Sequence, residues 1–264
     1  AKEITIATNS QTTATGATGG GQVNIGLGNT QVTGGTQLNA QAPSKQTAGQ
    51  AQELIKANAD QAASTKQLAK TVTVQENATI DTSATQAGNG GAIAIWSEFK
   101  TRVAGILKSM GGVLSGNGGF IETSSKGQVA LSSTANINTS ANNANGKAGT
   151  WLLDPVDLTV DAGAASVVSS ALSSSNVILD ATGSACGLIG TCTSSISPSI
   201  RITADIYSAN ASTSLSLNAI GGSISIDSNV TAGQITAVAQ AISINGSLNS
   251  SGGSNGQIYL AGAV

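Results

Sequence analysis

Three aspartates in the stretch GTWLLDPVDLTVD are the residues whose type and spacing could best do chemistry. Asp154, Asp157 and Asp161 form the densest acidic group of the chain. Carboxylates that converge can act as general acid and base on a sugar chain, often with calcium beside them. Such sites also use basic side chains, and the next one after this group is Arg201. We therefore keep a polysaccharide-acting enzyme only as a remote alternative.

Other catalytic and metal-binding patterns are missing from the sequence. The chain has no histidine, so the usual activation of a serine by histidine cannot operate. The glycine run at 19–21 does not stand between a strand and a helix, as a phosphate-binding loop requires. Calcium-binding repeats of the GGxGxD kind are also absent. The sequence thus predicts no enzyme activity, no cofactor and no metal site.

The two cysteines, Cys186 and Cys192, stand at the two ends of the stretch CGLIGTC. This spacing differs from that of a C-x-x-C redox or zinc site, and the chain offers no histidine to complete a metal site. In an exported protein we expect the pair to form a local disulfide, which would stabilise the fold by about 2 kcal/mol. Two reduced thiols in a loop are the alternative.

The composition indicates a thin hydrophobic core. Of the 264 residues only 2% are aromatic and 9% are charged, whereas an ordinary globular core needs large side chains to fill it. A solenoid needs fewer large side chains, because each coil packs only on its neighbours. Alternating Val, Ile and Leu continue almost to the last residue, which argues against disorder.

The distribution of charge argues against several kinds of partner. The net charge is −2, whereas nucleic-acid binding needs clustered Lys and Arg. Residues 1–150 carry ten basic and seven acidic residues, a net of +3, and residues 151–264 carry one and six, a net of −5. No apolar run approaches the roughly 20 residues of a membrane span, so we expect no membrane insertion. Ala1 does not begin a signal peptide, and we expect a mature product or an excised fragment.

Short alternating apolar pairs, bounded by Gly, Asn or Ser, recur along the chain at a nearly constant offset. Asn and Gly suit the corners between such strands, and alternation places one face of each strand inward. A period of about 20 residues with two or three strands predicts one coil of a right-handed parallel β-helix. The predicted fold class is therefore all-β, a solenoid that forms a single domain over residues 1–264. The strands expected to stack in register are 4–6, 72–74, 93–95, 129–131, 224–226, 242–244 and 258–260.

Two segments break this pattern. Residues 46–70 are rich in helix-forming Ala, Gln, Lys and Leu and predict one inserted α-helix. Its narrow apolar stripe serves either as a plain packing element or as a partner-binding face. Residues 162–199 are rich in Ser and hold the cysteine loop, so we expect an irregular insertion there, in which 165–175 is compatible with a short helix. The candidate contact residues of the inserted helix are Ile55, Ala59, Ala62 and Ala69.

Three sequence blocks resemble a module of secreted bacterial exoproteins. The blocks are GNGGAIAIWS at 88–97, GNGGFIETSS at 116–125 and GTWLLDPVDLTV at 149–160. In their order and distances they resemble the filamentous-haemagglutinin-like exoproteins of two-partner secretion, and the resemblance covers roughly residues 76–162. The chain lacks the Asn-Pro-Asn motifs that are usual in the secretion domain of that family. We therefore expect a downstream passenger segment or an unusual member.

The resemblance implies structural roles for the residues of these blocks. It favours strands over residues 98–112, although the apolar residues there have helical spacing. It also implies a turn at the proline of the third block instead of a catalytic role for the aspartates around it. The residues that it assigns to the repeated structural motif are Trp96, Trp151, Asp154, Pro155 and Asp157.

These observations lead us to expect a secreted or cell-surface bacterial structural protein, an adhesin-like rod without enzyme activity. One expected partner is the protein itself, joined head to tail into filaments such as those of a biofilm or another extracellular matrix. The other expected partners are surface glycans or proteins. The alternative function is that of a passenger fragment of a larger adhesin, which binds host or surface glycans.

Overall fold

The computed structural model describes residues 1–26, 68–181, 198–252 and 256–262. Within these ranges the chain forms 21 strands and one α-helix, α1 (Ala162–Leu172). In chain order the strands are β1 (Glu3–Ile6), β2 (Gln11–Thr13), β3 (Gln22–Ile25), β4 (Thr71–Val74), β5 (Thr79–Asp81), β6 (Ala92–Ser97), β7 (Lys100–Val103), β8 (Ile106–Lys108), β9 (Phe120–Ser125), β10 (Gln128–Leu131), β11 (Asn136–Asn138), β12 (Thr150–Asp154), β13 (Asp157–Val160), β14 (Asn176–Asp180), β15 (Ser199–Ile202), β16 (Ile206–Tyr207), β17 (Ser214–Ile226), β18 (Val230–Ala232), β19 (Gln234–Ile244), β20 (Leu248–Ser250) and β21 (Ile258–Gly262).

The strands form parallel sheets that the chain visits in a fixed order. The first sheet contains β1, β4, β7 and β10, and the second contains β2, β5, β8 and β11. The third sheet takes in β3, β6, β9 and β12, so the chain passes through the three sheets four times in succession. We call one such passage a round. The expectation of an all-β fold with parallel strands is confirmed.

The C-terminal part continues the same order, with a helix in place of one strand. A fifth round runs through β13, α1 and β14, and the helix packs against both β11 and β16 in place of a second-sheet strand. Three further rounds follow, in which β16, β18 and β20 form a separate parallel sheet. Strand β17 serves two neighbouring rounds, because its first part pairs with β14 and its second part with β15.

The stacking shows that most rounds are longer than the sequence period predicts. Asn89 and Asn117 occupy equivalent turns of successive rounds and lie 28 residues apart. Near the C-terminus the equivalent residues Asn229 and Ser247 lie only 18 residues apart. The sequence predicts a period of about 20 residues. That prediction is wrong for the N-terminal half, and it is close where β17 pairs with β19, at offsets of 20 residues in the first part of β17 and 18 residues in its second part.

The predicted stacking holds within groups of strands and is wrong in joining all seven strands into one stack. Residues 4–6 pair with 72–74, and residues 129–131 belong to the same sheet, with 101–103 between them. Residues 224–226 pair with 242–244. The remaining two strands belong to other stacks: 93–95 pairs with 23–25 and 121–123, and 258–260 pairs with 235–237. Apolar pairs that belong to different sheets look alike in sequence. The number of residues between two sheets of one round is therefore easily mistaken for the number of residues between successive rounds.

The region after Trp96 forms strands, as the block resemblance implies. Strands β7 and β8 lie within residues 98–112, and along each of them buried residues alternate with more exposed ones. Residues 46–67 of the predicted inserted helix lie outside the described residues, and residues 68–70 are not helical. Only the last three positions of that prediction can thus be compared, and these three differ from it.

Helix α1 lies within the predicted irregular insertion and overlaps the stretch 165–175, which in the sequence is compatible with a short helix. Residues 162–180 form this helix and strand β14, so the first half of the predicted insertion is regular. The Asp161 side chain accepts a hydrogen bond from the Ala164 N–H at 2.9 Å and caps the helix. Among the described residues no helix has both the length and the apolar character needed to cross a bilayer. The buried face of α1 consists of Ala164, Ala165, Val167, Val168, Ala171 and Leu172.

The main core lies between the sheets, where alternate strand residues point inward. On the third sheet the inward row includes Ile93, Ile121, Trp151 and Val177, which follow one another in register and are fully buried. The outer face of the same strands carries a second apolar cluster, and burial on both faces is typical of parallel sheets. This second cluster consists of Ala92, Ala94, Trp96, Phe120 and Leu152, with Leu68 and Ile178 packed against it.

Stacked turns explain the GNGG blocks. Asn89 Oδ1 accepts a hydrogen bond from the Asn117 N–H at 2.8 Å, and Asn117 Oδ1 accepts one from the Lys147 N–H at 2.9 Å. Just after these turns, a Cβ atom on Gly119 would overlap the carbonyl oxygen of Gly91 one round earlier. Only glycine permits such a close approach of two backbones. The blocks thus form the corner that leads into the third sheet.

Candidate functional site

The third sheet brings three carboxylates together on its outer face. Asp154, the last residue of β12, pairs with Ser124 on β9. Asp180, the last residue of β14, occupies the next position of the same row and pairs with Asn218 on β17. Glu122 stands two positions before Ser124 and therefore on the same face of the sheet. We call Glu122, Asp154 and Asp180 the acidic cluster.

The members of the acidic cluster differ in their hydrogen bonds. Ser124 Oγ donates to Glu122 Oε1 at 2.9 Å, and Asn218 Nδ2 donates to Asp180 Oδ2 at 3.2 Å. Asp154 is only 2% exposed, and its Oδ1 atom has no hydrogen-bond partner among the described residues. An ionised carboxylate in this position would lose its hydration without gaining a donor at Oδ1 in exchange. Asp154 is therefore the member whose charged form the fold tolerates least.

Electrostatics agree with this geometry. Burial raises the pKa of the Asp154 carboxyl well above its ordinary value, and the neighbouring carboxylates of Asp180 and Glu122 raise it further. All three causes act in the same direction, since each disfavours the negative charge. Asp154 therefore takes up a proton on folding over the pH range between its ordinary and its raised pKa.

The acidic cluster is suited to holding a proton. Within the described ranges no three metal-ligating side chains are arranged so that they could hold an ion.

The indole of Trp96 lies close to this cluster in the sheet, since Trp96 pairs with Ser124, the register partner of Asp154. The indole Nε1 is buried and also lacks a hydrogen-bond partner in the described part of the chain. Unpaired buried polar atoms each cost stability. The row thus concentrates unfavourable interactions at one place of an otherwise well-paired sheet.

The three aspartates of the third sequence block do not converge. Asp157 Oδ1 accepts hydrogen bonds from the Ser199 N–H at 3.0 Å and the Ser199 hydroxyl at 2.9 Å, and thereby joins β13 to β15. Asp161 caps α1, and Asp154 lies on the outer face of the third sheet with the buried Pro155 after it. Each aspartate therefore serves a different structural element, and no acid and base pair is formed by the block.

The two tryptophans lie on opposite faces of the third sheet. Trp151 belongs to the main core, where its Nε1 donates to Thr123 Oγ1 at 3.0 Å. Trp96 belongs to the second apolar cluster. Both side chains are fully buried, which places them in packing contacts away from solvent.

The remaining predicted residues divide into two groups. Cys186 and Cys192 lie outside the described residues, and so do three of the predicted contact residues, Ile55, Ala59 and Ala62. The fourth contact residue, Ala69, is 2% exposed and belongs to the main core just before β4, where its N–H donates to the Gly26 carbonyl at 2.8 Å.

Sequence reasoning missed two members of the acidic cluster. Glu122 lies on β9 and Asp180 on β14, one round before and one round after Asp154, so no local window of the sequence contains them together. A signal was present in the strands themselves, because FIETSS, TWLLD and NVILD each carry one acidic residue among apolar ones. Aligning these three segments as neighbours would have placed the acids on one face.

Comparison with known proteins adds no family assignment. No family model and no curated protein matches this sequence. The resemblance of the three blocks therefore rests on their own residues.

Proposed function

We propose that the chain is a secreted bacterial structural protein, an adhesin-like rod built as a right-handed parallel β-helix. The observation that carries the proposal is the fixed order in which the chain visits its parallel sheets, round after round, with strands in register. Each round covers the apolar face of the previous one, which is how a solenoid obtains a core from small side chains. Right-handedness follows the general rule for crossovers between parallel strands.

The dimensions of the proposed rod follow from the number of rounds. Four N-terminal rounds, the round that contains α1 and three C-terminal rounds make eight in the described residues. At about 4.8 Å between neighbouring strands, eight rounds extend roughly 38 Å along the axis. Apart from the second apolar cluster, which lies on the outer face of the third sheet, outward positions of such a body are polar at residues such as Thr71, Thr73, Ser223 and Ser225. Long polar faces suit contacts with a surface more than the enclosure of a small molecule.

A structural role agrees with the contacts of the conspicuous residues. The glycines and asparagines of the GNGG blocks stack in turns, Asp157 joins two strands, and Asp161 caps the helix. These contacts all maintain the scaffold. The likeness of the same blocks to filamentous-haemagglutinin-like exoproteins supports an extracellular location, with the outer faces free to meet glycans or proteins of a surface.

Surface exposure on intact cells tests this proposal. An antibody against the chain is used to follow the protein on cells that produce it naturally, before and after protease treatment. We expect protease to remove the signal from intact cells while a cytoplasmic control protein survives. Deletion of the gene is expected to reduce adhesion of those cells to glycan-coated surfaces. A signal that protease reaches only after lysis would contradict the proposal.

A further inference from the structure

The outer face of the first sheet gathers basic residues that are scattered in the sequence. Lys100 and Arg102 on β7 are exposed, and they alternate with the buried Thr101 and Val103, so they point outward. Three lysines stand in the corners just before β1, β4 and β10 and are exposed or half-exposed. We call the five residues the basic face: Lys2, Lys70, Lys100, Arg102 and Lys126.

The stacking of the rounds brings these residues together. The Lys70 N–H donates to the Lys2 carbonyl at 2.9 Å, and the Phe99 N–H donates to the Lys70 carbonyl at 2.9 Å. Lys100 pairs with Thr71, which directly follows Lys70, and β10 pairs with β7 on its other side. The basic face therefore extends over four neighbouring strands that lie about 4.8 Å apart.

The basic face has a surplus of positive charge that the chain itself does not neutralise. Two acidic residues share this surface, Glu3 on β1 and Glu98 in the corner before β7, so five basic residues stand against two acidic ones, a net of +3. Glu76 lies in the turn beyond the far end of β4. Within the described ranges the ion pair joins Arg201 and Asp227, and none of the five cations takes part in one. These charges are therefore available to an anion from solution.

Neutral groups complete the surface. The Phe99 side chain is 54% exposed, and the Lys70 Nζ atom lies 5.5 Å from the centre of its ring. Threonine hydroxyls occupy outward positions of the neighbouring strands at Thr5, Thr71 and Thr73. The sheet thus offers a long, open face with cations, hydroxyls and one apolar ring. Such a face can contact the charged groups, the hydroxyls and an apolar patch of a single extended ligand.

We propose that the basic face binds an acidic polysaccharide, a chain of sugars with one carboxylate on each sugar. The inference rests on the proposed function and names the class of glycan. Lysine ammonium groups and the Arg102 guanidinium form charge-assisted hydrogen bonds with carboxylates, and the guanidinium can hold one carboxylate in two parallel bonds. The threonine hydroxyls match the hydroxyls of the sugars, and the Phe99 ring covers an apolar face of one sugar.

Charge density favours this polymer over other anionic partners. The net charge of +3 over four strands amounts to one positive charge per roughly 4.8 Å. Duplex DNA carries one negative charge per about 1.7 Å, and single strands are bound by stacking several bases on aromatic rings, whereas the described part of this face has one ring. Binding on a lipid surface takes several apolar side chains that enter the bilayer. A polymer with one charge on each sugar fits both the charge density and the polarity of the face.

Biolayer interferometry of the purified chain on immobilised polygalacturonate tests the binding. We expect saturable binding that weakens as the salt concentration rises, since exposed charges are screened. The double variant Lys100→Gln/Arg102→Gln should raise the Kd about tenfold. The matched control is Lys108→Gln/Lys147→Gln, which removes the same charge from the second sheet and from the turn before β12 and should bind like the wild type.

Far-UV circular dichroism establishes that each variant is folded. Should Lys100→Gln/Arg102→Gln not fold, Lys70→Gln/Lys126→Gln replaces it, because these lysines stand in corners outside the strands. Competition with soluble polymers then tests the chemical class. At equal concentrations of negative charge, polygalacturonate should displace the chain better than dextran sulfate, single-stranded oligothymidylate or phosphatidylglycerol vesicles, and neutral dextran should not displace it.

Three results would overturn the inference. One is the absence of binding to polygalacturonate at low salt. Another is an equal loss of affinity in Lys108→Gln/Lys147→Gln, which would assign the binding to net charge alone. The third is stronger competition by dextran sulfate, the oligonucleotide or the vesicles, which would assign the face to a different partner. A chain that is exposed on intact cells but does not bind polygalacturonate contradicts this inference alone, and one that binds it but stays inside the cells contradicts the proposed function alone.

Discussion

Replacement of Asp154 by asparagine is the most direct perturbation of the acidic cluster. Asparagine has nearly the shape of the neutral carboxylic acid but cannot ionise. The substitution therefore keeps the packing at the end of β12 and removes the group whose charge is disfavoured by burial, by Asp180 and by Glu122. We expect Asp154→Asn to stabilise the protein at alkaline pH and to have little effect in acid.

The sign follows from the raised pKa. An unfolded aspartate has a pKa of about 3.9, and folding raises the pKa of Asp154. Between these two values the folded chain binds more protons than the unfolded chain, so the free energy of unfolding falls as the pH rises. The loss of unfolding free energy that ionised Asp154 causes is absent below the pKa of the unfolded chain and complete above the pKa of the folded chain.

The magnitude of the change in unfolding free energy follows from proton binding at a single group. One proton gives a slope of at most about 1.4 kcal/mol per pH unit, and each unit by which folding raises the pKa costs about 1.4 kcal/mol at alkaline pH. Solvent screening does not reduce this figure appreciably, because Asp154 is only 2% exposed. The variant should lose this part of the pH dependence.

Urea unfolding at a series of pH values measures the effect, with the fluorescence of the two buried tryptophans as the signal. The quantity of interest is the difference in unfolding free energy between variant and wild type, because the contributions of other groups cancel in it. The difference should grow with pH for Asp154→Asn and be smaller for Asp180→Asn, which removes only a neighbouring charge. Asp157→Asn is the matched control at an exposed carboxylate.

A difference that does not change with pH would refute the reasoning about Asp154. The same holds if Asp154→Asn is less stable than the wild type at every pH, because the carboxyl would then be needed as a charged acceptor. An equal effect of Asp157→Asn would show that the general loss of negative charge, and not the burial of one carboxyl, is responsible.

Two further predictions concern the turns and an exposed carboxylate. Gly119→Ala should lower the free energy of unfolding by about 1–3 kcal/mol in chemical denaturation, because its Cβ would overlap the Gly91 carbonyl. Gly163→Ala on α1 is the control. Its Cβ meets only the Asp161 side chain at 3.4 Å, so this variant should be neutral or more stable by up to about 1 kcal/mol. Hydrogen bonds from Asn245, Arg201 and Ser225 lower the pKa of Asp227 to about 2, so its contribution to stability is present above about pH 4 and is lost as the pH falls towards 2. Asn245→Ala should return the pKa of Asp227 towards its ordinary value, as measured by NMR titration, and an unchanged titration would contradict that assignment.

The class of fold can be predicted from the amino-acid sequence alone. Apolar residues that alternate over three or four positions, with Gly and Asn between them, can form little except short strands with one inward face. The scarcity of aromatic residues then requires a thin core. The observed register confirms several expectations that depend on this alternation, such as the pairing of 4–6 with 72–74 and of 224–226 with 242–244.

The length of a round cannot be predicted in this way and depends on how the strands stack in three dimensions. Residues 72–74 and 93–95 carry the same pattern but lie in different sheets. The pattern reports which face of a strand is buried and contains no information about which sheet the strand joins. The length of the turns decides that, and the turns in the N-terminal half are long enough to place Asn89 and Asn117, one round apart, 28 residues from each other.

The acidic cluster also depends on the tertiary structure. Asp154 stands out in its sequence block, but its neighbours Glu122 and Asp180 come from the strands that pair with β12 on either side. Their proximity requires the correct register of three strands, and a slip by one residue would move each carboxylate to the other face of the sheet. The sequence supplies the acidic residues one strand at a time, and the stacking of the strands places them side by side.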